Sequence, residues 1–216
     1  TVEDIHAPAL SRRDIGAEGL LGVDSLRSQR VVFDFVRQEM KVVPSRRREE
    51  RWSGGDTIVI RARSRYGHLM LVDASFDGQR VYVIVDTGSQ VTVGNNALRR
   101  ALERRGRLGP LHPIQLVSVT GNVIMAENGI AREVRIRDAG LCNLPVAFAE
   151  VLPFQHLDLT DRPAIMLGMD AFQLFDRVSF DFANRRVRFL VPDDAGADPH
   201  TRMAQWRPVP VSAAQG

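Results

Sequence analysis

The chain has 216 residues, 44% of them hydrophobic and 25% charged. This ordinary globular composition excludes a mainly disordered chain and allows one large domain or two small ones. Twenty-nine basic residues against 26 acidic ones leave a net charge of +3, and with Lys41 the one lysine, the basic residues are otherwise arginines spread along the chain. Aromatic residues are 6%, too sparse for the stacking platforms that bind single-stranded nucleic acid, and no nucleic-acid partner is expected. The single cysteine, Cys142, excludes a disulfide within these residues and a multi-cysteine zinc site, and no apolar run reaches the roughly 18 residues that span a membrane. The first residues lack the basic-then-apolar form of a signal segment, so any targeting signal is expected outside this chain.

In chain order, the first feature is one copy of a repeat. Residues 19–44 match residues 165–192: Gly22 falls on Gly168, Asp24 on Asp170, Arg30-Val31 on Arg177-Val178, Phe33-Asp34-Phe35 on Phe180-Asp181-Phe182, and Pro44 on Pro192. Each copy reads as an apolar stretch, a glycine, a short helical turn and two short strands. In the second copy Val178, Phe180 and Phe182 alternate with Ser179 and Asp181, which the period of two places on an outer face with a structural role, as for Asp34. Asn184-Arg185 is the expected hairpin turn between those strands. Asp24 and Asp170, just after the glycines, read as helix caps. Arginine-rich residues 46–56, ending in Gly54-Gly55-Asp56, have the composition of a linker.

Strand patterns then dominate: 57–61, 68–72 and 81–85, with Asp77-Gly78 as the strongest hairpin signal in the chain. A helix is predicted over 97–105, capped by Asn95 or Asn96 and stopped by Gly106. Further strands are predicted at 114–119, 123–127, 131–137 and 146–150. Many short strands with little helix indicate an all-β barrel or sandwich. The tail, 193–216, is rich in Ala, Pro and Asp and reads as either mobile or draped over the surface and pinned by Trp206.

The chemically informative segment is Val83-Ile84-Val85-Asp86-Thr87-Gly88-Ser89. An apolar strand delivers a carboxylate into a tight turn, where Gly88 permits a backbone that a side chain would block, and Thr87 and Ser89 can hydrogen-bond back to fix it. About eighty residues later Ala164-Ile165-Met166-Leu167-Gly168 forms an apolar run into glycine. Between the two lies a predicted hairpin over 116–125, with Thr120, Gly121 and Asn122 at its tip. His68, His112, His156 and His200 show no metal-ligand spacing, and Cys142 has no activating neighbour in sequence.

This order of motifs resembles the bacterial retropepsin-like aspartic peptidases of the pepsin and retropepsin superfamily. The resemblance runs from about Asp56 to Pro192, and the first repeat matches only the end of another such lobe. It implies an all-β fold: a closed retropepsin-like β-barrel lobe with one or two short helices over 57–192, preceded by the C-terminal part of a similar lobe over 1–45. The resemblance makes Asp86 catalytic, Thr87, Gly88 and Ser89 its loop, Thr120, Gly121 and Asn122 the flap, and Leu167 and Gly168 the late glycine loop. The implied activity is hydrolysis of peptide bonds in a peptide or protein substrate by a water held between two aspartates, without metal or cofactor. The implied location is periplasmic or secreted. Asp86 begins the one Asp-Thr-Gly in the chain, so its partner is expected either from an upstream lobe or from a second chain. Counting the 82 residues from Asp86 to Gly168 back from Gly22 puts an upstream aspartate about 60 residues before Thr1. The alternative is an inactive retropepsin-fold module used for binding or dimerisation. The Ser89 hydroxyl, if bonded to the carboxylates, would shift the activity optimum towards acid.

Overall fold

A computed structural model of the chain describes residues 22–118, 120–137, 139–193 and 203–205. Among them the order is a 3₁₀ turn (Val23–Leu26), β1 (Gln29–Asp34), β2 (Glu39–Pro44), β3 (Thr57–Arg65), β4 (His68–Phe76), β5 (Gln79–Val85) and β6 (Val93–Gly94). Then come α1 (Asn96–Arg104), β7 (His112–Val117), β8 (Val123–Ile136), β9 (Ala139–Phe148), α2 (Leu152–His156) and β10 (Ala164–Leu167). The chain continues through α3 (Met169–Phe172), β11 (Arg177–Asp181), β12 (Arg186–Leu190) and β13 (Met203–Gln205). The repeat's residues 19–21, His200 and Trp206 lie outside the described residues, as does most of the tail, whose β13 pairs parallel with β9.

Six strands close on themselves in the order β4-β5-β10-β6-β9-β8, with β8 returning to β4 through Ala74↔Ile136 and Phe76↔Val134. Closure needs β4 to bend, and it does so at a break in register between Leu71 and Ala74 where Asp73 has φ +58°. The Asp77-Gly78 hairpin forms as the sequence predicts, with both residues at positive φ, as a two-residue turn of that hand requires. Valines 81, 83 and 85 point into the barrel with Leu71, Leu141 and Ile165. The opposite face of β5 and β10 is covered as well: Ile84 and Met166 pack against Phe154 and Leu157 of the α2 region, so these two strands have apolar cover on both faces. This explains why residues 83–85 and 164–167 read as continuous apolar runs rather than as alternation.

Helix α1 is capped by the Asn95 side chain, which accepts from Leu98 N–H at 2.8 Å, and it ends at Gly106 with φ +61°. One sequence expectation is corrected here, and one element had not been expected. The predicted strands 123–127 and 131–137 are one fourteen-residue strand, β8, because Asn128-Gly129 stays in register with β9 instead of turning. Gly129 holds that place because a Cβ there would lie 2.8 Å from the Leu111 side chain. Helix α2 had no periodic signal in a five-residue segment that begins Leu152-Pro153.

Beyond the barrel, β3 crosses into a second sheet, ordered β2-β1-β11-β12-β3. Here the two copies of the repeat pair with each other. Strand β1 runs antiparallel to β11 with Arg30↔Asp181, Val32↔Ser179 and Asp34↔Arg177. Exchanging each residue for its repeat equivalent returns the same pairs, so the pairing is symmetric about Val32 and Ser179. The ion pairs obey the same symmetry: Arg177 Nε donates to Asp34 Oδ2 at 3.0 Å, and Arg30 faces Asp181 at 3.8 Å.

The outer face assigned to Asp34, Ser179 and Asp181 is not exposed; their fractional exposures are 6%, 1% and 2%. The reason is the segment 45–56, which lies across this face instead of spanning solvent. Its Glu49 contacts Arg30, Arg186 and Arg188 at 3.1–3.6 Å. Its Trp52 ring lies 4.0 Å from the Arg188 guanidinium carbon and 5.4 Å from that of Arg177. Alternation along a strand says which residues share a face. It does not say what covers that face.

Candidate active site

Strand β5 delivers Asp86. It lies parallel to β10 with Val85↔Leu167 in register, and the Asp86 N–H donates to Leu167 O at 3.0 Å. The catalytic-loop candidate and the late glycine loop are thus adjacent, 82 residues apart in sequence. The Asp86 carboxylate is half-buried and its Oδ1 accepts from Gly88 N–H at 2.9 Å, which fixes its orientation. Gly88 has no positive φ; its constraint is proximity, since a Cβ there would sit 3.3 Å from that same carboxylate oxygen. Thr87 beside it is half-buried.

Ser89 also fixes the loop, but its hydroxyl donates to Val91 O at 2.7 Å and not to Asp86. The acid shift expected from that hydroxyl therefore loses its basis.

Residues 86–92 are bolted to 167–170. Met169 N–H donates to Ser89 O at 2.8 Å and Asp170 N–H to Gln90 O at 3.2 Å. Gly168 is held so closely that a Cβ would meet Val91 O at 2.5 Å and Ser89 O at 3.0 Å. Thr92 closes the junction: its hydroxyl donates to Asp170 Oδ1 at 2.7 Å and accepts from Gly168 N–H at 3.2 Å, while its own N–H donates to Asp170 Oδ2 at 2.8 Å.

Asp170 is thus a brace between loops and not the helix cap that the sequence indicated; residue 168 is the cap position, and no side chain fills that role. Burial pushes its carboxyl above the ordinary range, against the pull of the Thr92 and backbone donors. Asp24, read the same way, is no cap either: its carboxylate pairs with Arg27 at 2.6 Å on the surface. Thr92 was not singled out in the sequence, since its partner lies 78 residues away.

The hairpin of β7 and β8 has the predicted position, with Val117↔Val123 closing its strands. Its tip is internally bonded: Gly121 N–H donates to Ser118 O at 2.9 Å, Asn122 N–H to Ser118 Oγ at 3.1 Å, and Asn122 Nδ2 to Thr120 Oγ1 at 3.1 Å. Gly121 has φ +80°, which a side chain would strain. Val117, Val123 and Met125 leave apolar surface exposed on this hairpin. Cys142 is buried in β9, where burial raises its thiol further from reactivity. Among the described residues no group of three or more His, Cys, Asp or Glu is placed to hold a metal ion, and no helix is long and apolar enough to cross a membrane.

Residues 72–171 match the family model described as aspartyl protease. A search of the curated proteins found no match. Among solved structures, the chain is similar to a retropepsin-like aspartic protease from Rickettsia conorii, at 18% identity and a TM-score of 0.42, over 66% of this chain and 98% of that one. The region of the match holds Asp86, the flap-like hairpin and the Gly168 loop. The described residues form an all-β fold around a closed six-stranded barrel, and residues 72–171, which include most of that barrel, are similar to the aspartyl-protease family.

Proposed function

We propose that this chain supplies one half of an aspartic endopeptidase, with Asp86 as one member of a two-carboxylate site. The observation that carries the reading is the rigid delivery of Asp86: a strand buried on both faces, a carboxylate oriented by Gly88 N–H, and a loop clamped by Gly168 and Asp170. In this mechanism one carboxylate is ionised and takes a proton from a water lying between the pair. The other is protonated and donates to the carbonyl oxygen as the water attacks. The proton then passes to the amide nitrogen as the C–N bond breaks. Two carboxylates about 3 Å apart cannot both ionise, so activity is bounded by two macroscopic pKa values belonging to the pair. Thr120, Gly121 and Asn122 are the tip of a flap closing over the peptide, and the exposed apolar residues of that hairpin favour apolar side chains in the substrate.

The second aspartate comes, in this reading, from another lobe of the same polypeptide rather than from a second copy. The support is the symmetric pairing of β1 with β11. A second copy would need the β11 edge for its own β11, and β1 fills it with Arg30 and Asp34 in the places of Arg177 and Asp181. Residues 22–45 are then the end of that other lobe and 57–192 the complete one.

The test is cleavage of an unfolded protein substrate across a pH series, by this chain and by a polypeptide extended upstream to include a further Asp-Thr/Ser-Gly. The extended protein should give a bell-shaped profile at a rate independent of its own concentration. Asp86→Asn should lower the rate by about 10²–10⁴-fold with the fold retained. Wild-type rate in Asp86→Asn would remove Asp86 from the mechanism. Activity of the 216-residue chain that rises with the square of its concentration would show that a second copy supplies the partner.

A further inference from the structure

A concave site lies on the symmetric sheet, between segment 45–56 and the polar face of β1, β11 and β12. It is a cleft of about 60 Å³, room for about four waters or one small oxyanion, and too little for a nucleotide or a drug-sized ligand. Of its fourteen lining residues, seven are Arg or Lys and three are Asp or Glu. The carboxylates present do not neutralise it. Of the three lining carboxylates, Asp34 is engaged by Arg177 and Glu39 by Lys41, and Glu49 next to the cleft is shared among Arg30, Arg186 and Arg188. The guanidinium groups of Arg47 and Arg48, which line the cleft, form no ion pair among the described residues. Ser179, at the centre of the symmetric pairing, lines the cleft at 1% exposure, and its hydroxyl has no hydrogen-bond partner. A buried hydroxyl left without an acceptor demands an explanation, and a basic cleft beside it supplies one.

We propose that this cleft binds a phosphate group, with the Ser179 hydroxyl donating to one phosphate oxygen and the guanidinium groups around it, Arg177 and Arg188 foremost, supplying charge-assisted hydrogen bonds. Arginine suits the role: its planar fork offers five donors, of which Arg177 spends only Nε and one terminal nitrogen on Asp34. Trp52 lies against the guanidinium groups of both Arg177 and Arg188 and so restrains those two side chains beside the cleft. The phosphate can be a free ion or a phosphoryl group on a peptide side chain; both present the same oxygens. This site is independent of Asp86 and of the peptidase reading.

The experiment is calorimetric titration of the whole chain with inorganic phosphate, against chloride at matched ionic strength, and with a phosphoserine peptide against its unphosphorylated form. Saturable binding of one phosphate per chain is expected, weakened about tenfold in Ser179→Ala by the loss of one charge-assisted hydrogen bond. Should Ser179→Ala unfold, Arg48→Gln serves instead, being exposed, and is expected to weaken binding about threefold and reduce its salt dependence. Binding of free phosphate identifies the ion as sufficient. Binding of the phosphopeptide alone identifies a peptide-borne group. No phosphate effect beyond chloride in either arm, or wild-type affinity in a folded Ser179→Ala, overturns the proposal.

Discussion

The two copies of the repeat share a sequence pattern and differ in what surrounds them. In the second copy, the glycine leads from the barrel, β11 and β12 are buried, and β12 is flanked by β3. In the first, β2 is the edge strand of the sheet among the described residues, and its own residues are almost all exposed, including Met40 at 59% and Val42 at 42%. The pattern of apolar strand, turn and strand therefore forms in both places, because hairpin geometry and the pairing of β1 with β11 suffice to hold it. What the second copy gains is a barrel packed against it. Substitutions made at equivalent places separate these two contributions.

The largest contrast is expected at the paired phenylalanines. Phe180 is fully buried, with the Phe172 ring centroid at 5.0 Å and that of Phe33 at 6.0 Å. Phe33 is only half-buried. Truncating Phe180 to Ala removes a ring from the junction of sheet and barrel and should cost about 3–5 kcal/mol in urea unfolding. Phe33→Ala should cost less than half as much, about 1–2 kcal/mol, since part of its ring already meets solvent. Equal losses would mean that the two copies are equally embedded.

The glycines sharpen the comparison at the candidate site. At Gly168 a Cβ would press on the Val91 carbonyl, a backbone atom that cannot swing aside; at Gly22 a Cβ would meet nothing within 4 Å. Gly168→Ala should destabilise the chain by about 2–4 kcal/mol, and Gly22→Ala should stay within about 0.5 kcal/mol. Because the Val91 carbonyl also accepts the Ser89 hydroxyl, the first substitution should disturb the Asp86 loop as well. A Gly168→Ala protein with wild-type stability would show that the clamp between residues 86–92 and 167–170 yields readily.

How far the sequence revealed these features depended on the range of the interactions. The Asp77-Gly78 turn and the Asn95 cap of Leu98 N–H are local, and both are where turn and cap chemistry put them; the further bonds of Asn95 to Leu159 O, Arg162 O and Ala164 N–H, and of Asp77 to Glu133, were not foreseen. The repeat exposed the kinship of the two hairpins, and the apolar approach to Asp86 and Gly168 exposed the two loops. Contacts across the chain were not legible. Nothing near Asp170 points to Thr92, nothing near Asp181 points to the strap that covers it, and nothing in residues 128–130 shows the strand running on until Ala147 and Val146 are placed beside Asn128 and Gly129. The loop hydroxyl of Ser89 shows the same limit at short range: two acceptors were within reach, and backbone geometry selected Val91 O over Asp86.

The smallest expected effect lies in pH dependence, and it has opposite signs at two carboxylates. Asp34, in the first copy, feels burial that raises its pKa, but the Arg37 N–H and the Arg177 guanidinium outweigh it, so its carboxyl titrates below the ordinary value of 3.8. Its contribution to stability is present above 3.8 and is lost as pH falls through the lower, folded value. Asp170, in the second copy, is raised above 3.8 chiefly by burial, so its contribution is present below 3.8 and is lost as pH rises through the higher, folded value. Urea unfolding from pH 3 to 7 should therefore show that Asp34→Asn costs most at neutral pH and least in acid. Asp170→Asn should behave in the reverse sense: the loss relative to wild type is greatest near pH 3, where wild-type Asp170 is protonated, and shrinks as pH rises. Parallel pH profiles for the two variants would mean that burial does not dominate at Asp170, and that the brace between the Asp86 loop and α3 is held by an ionised carboxylate.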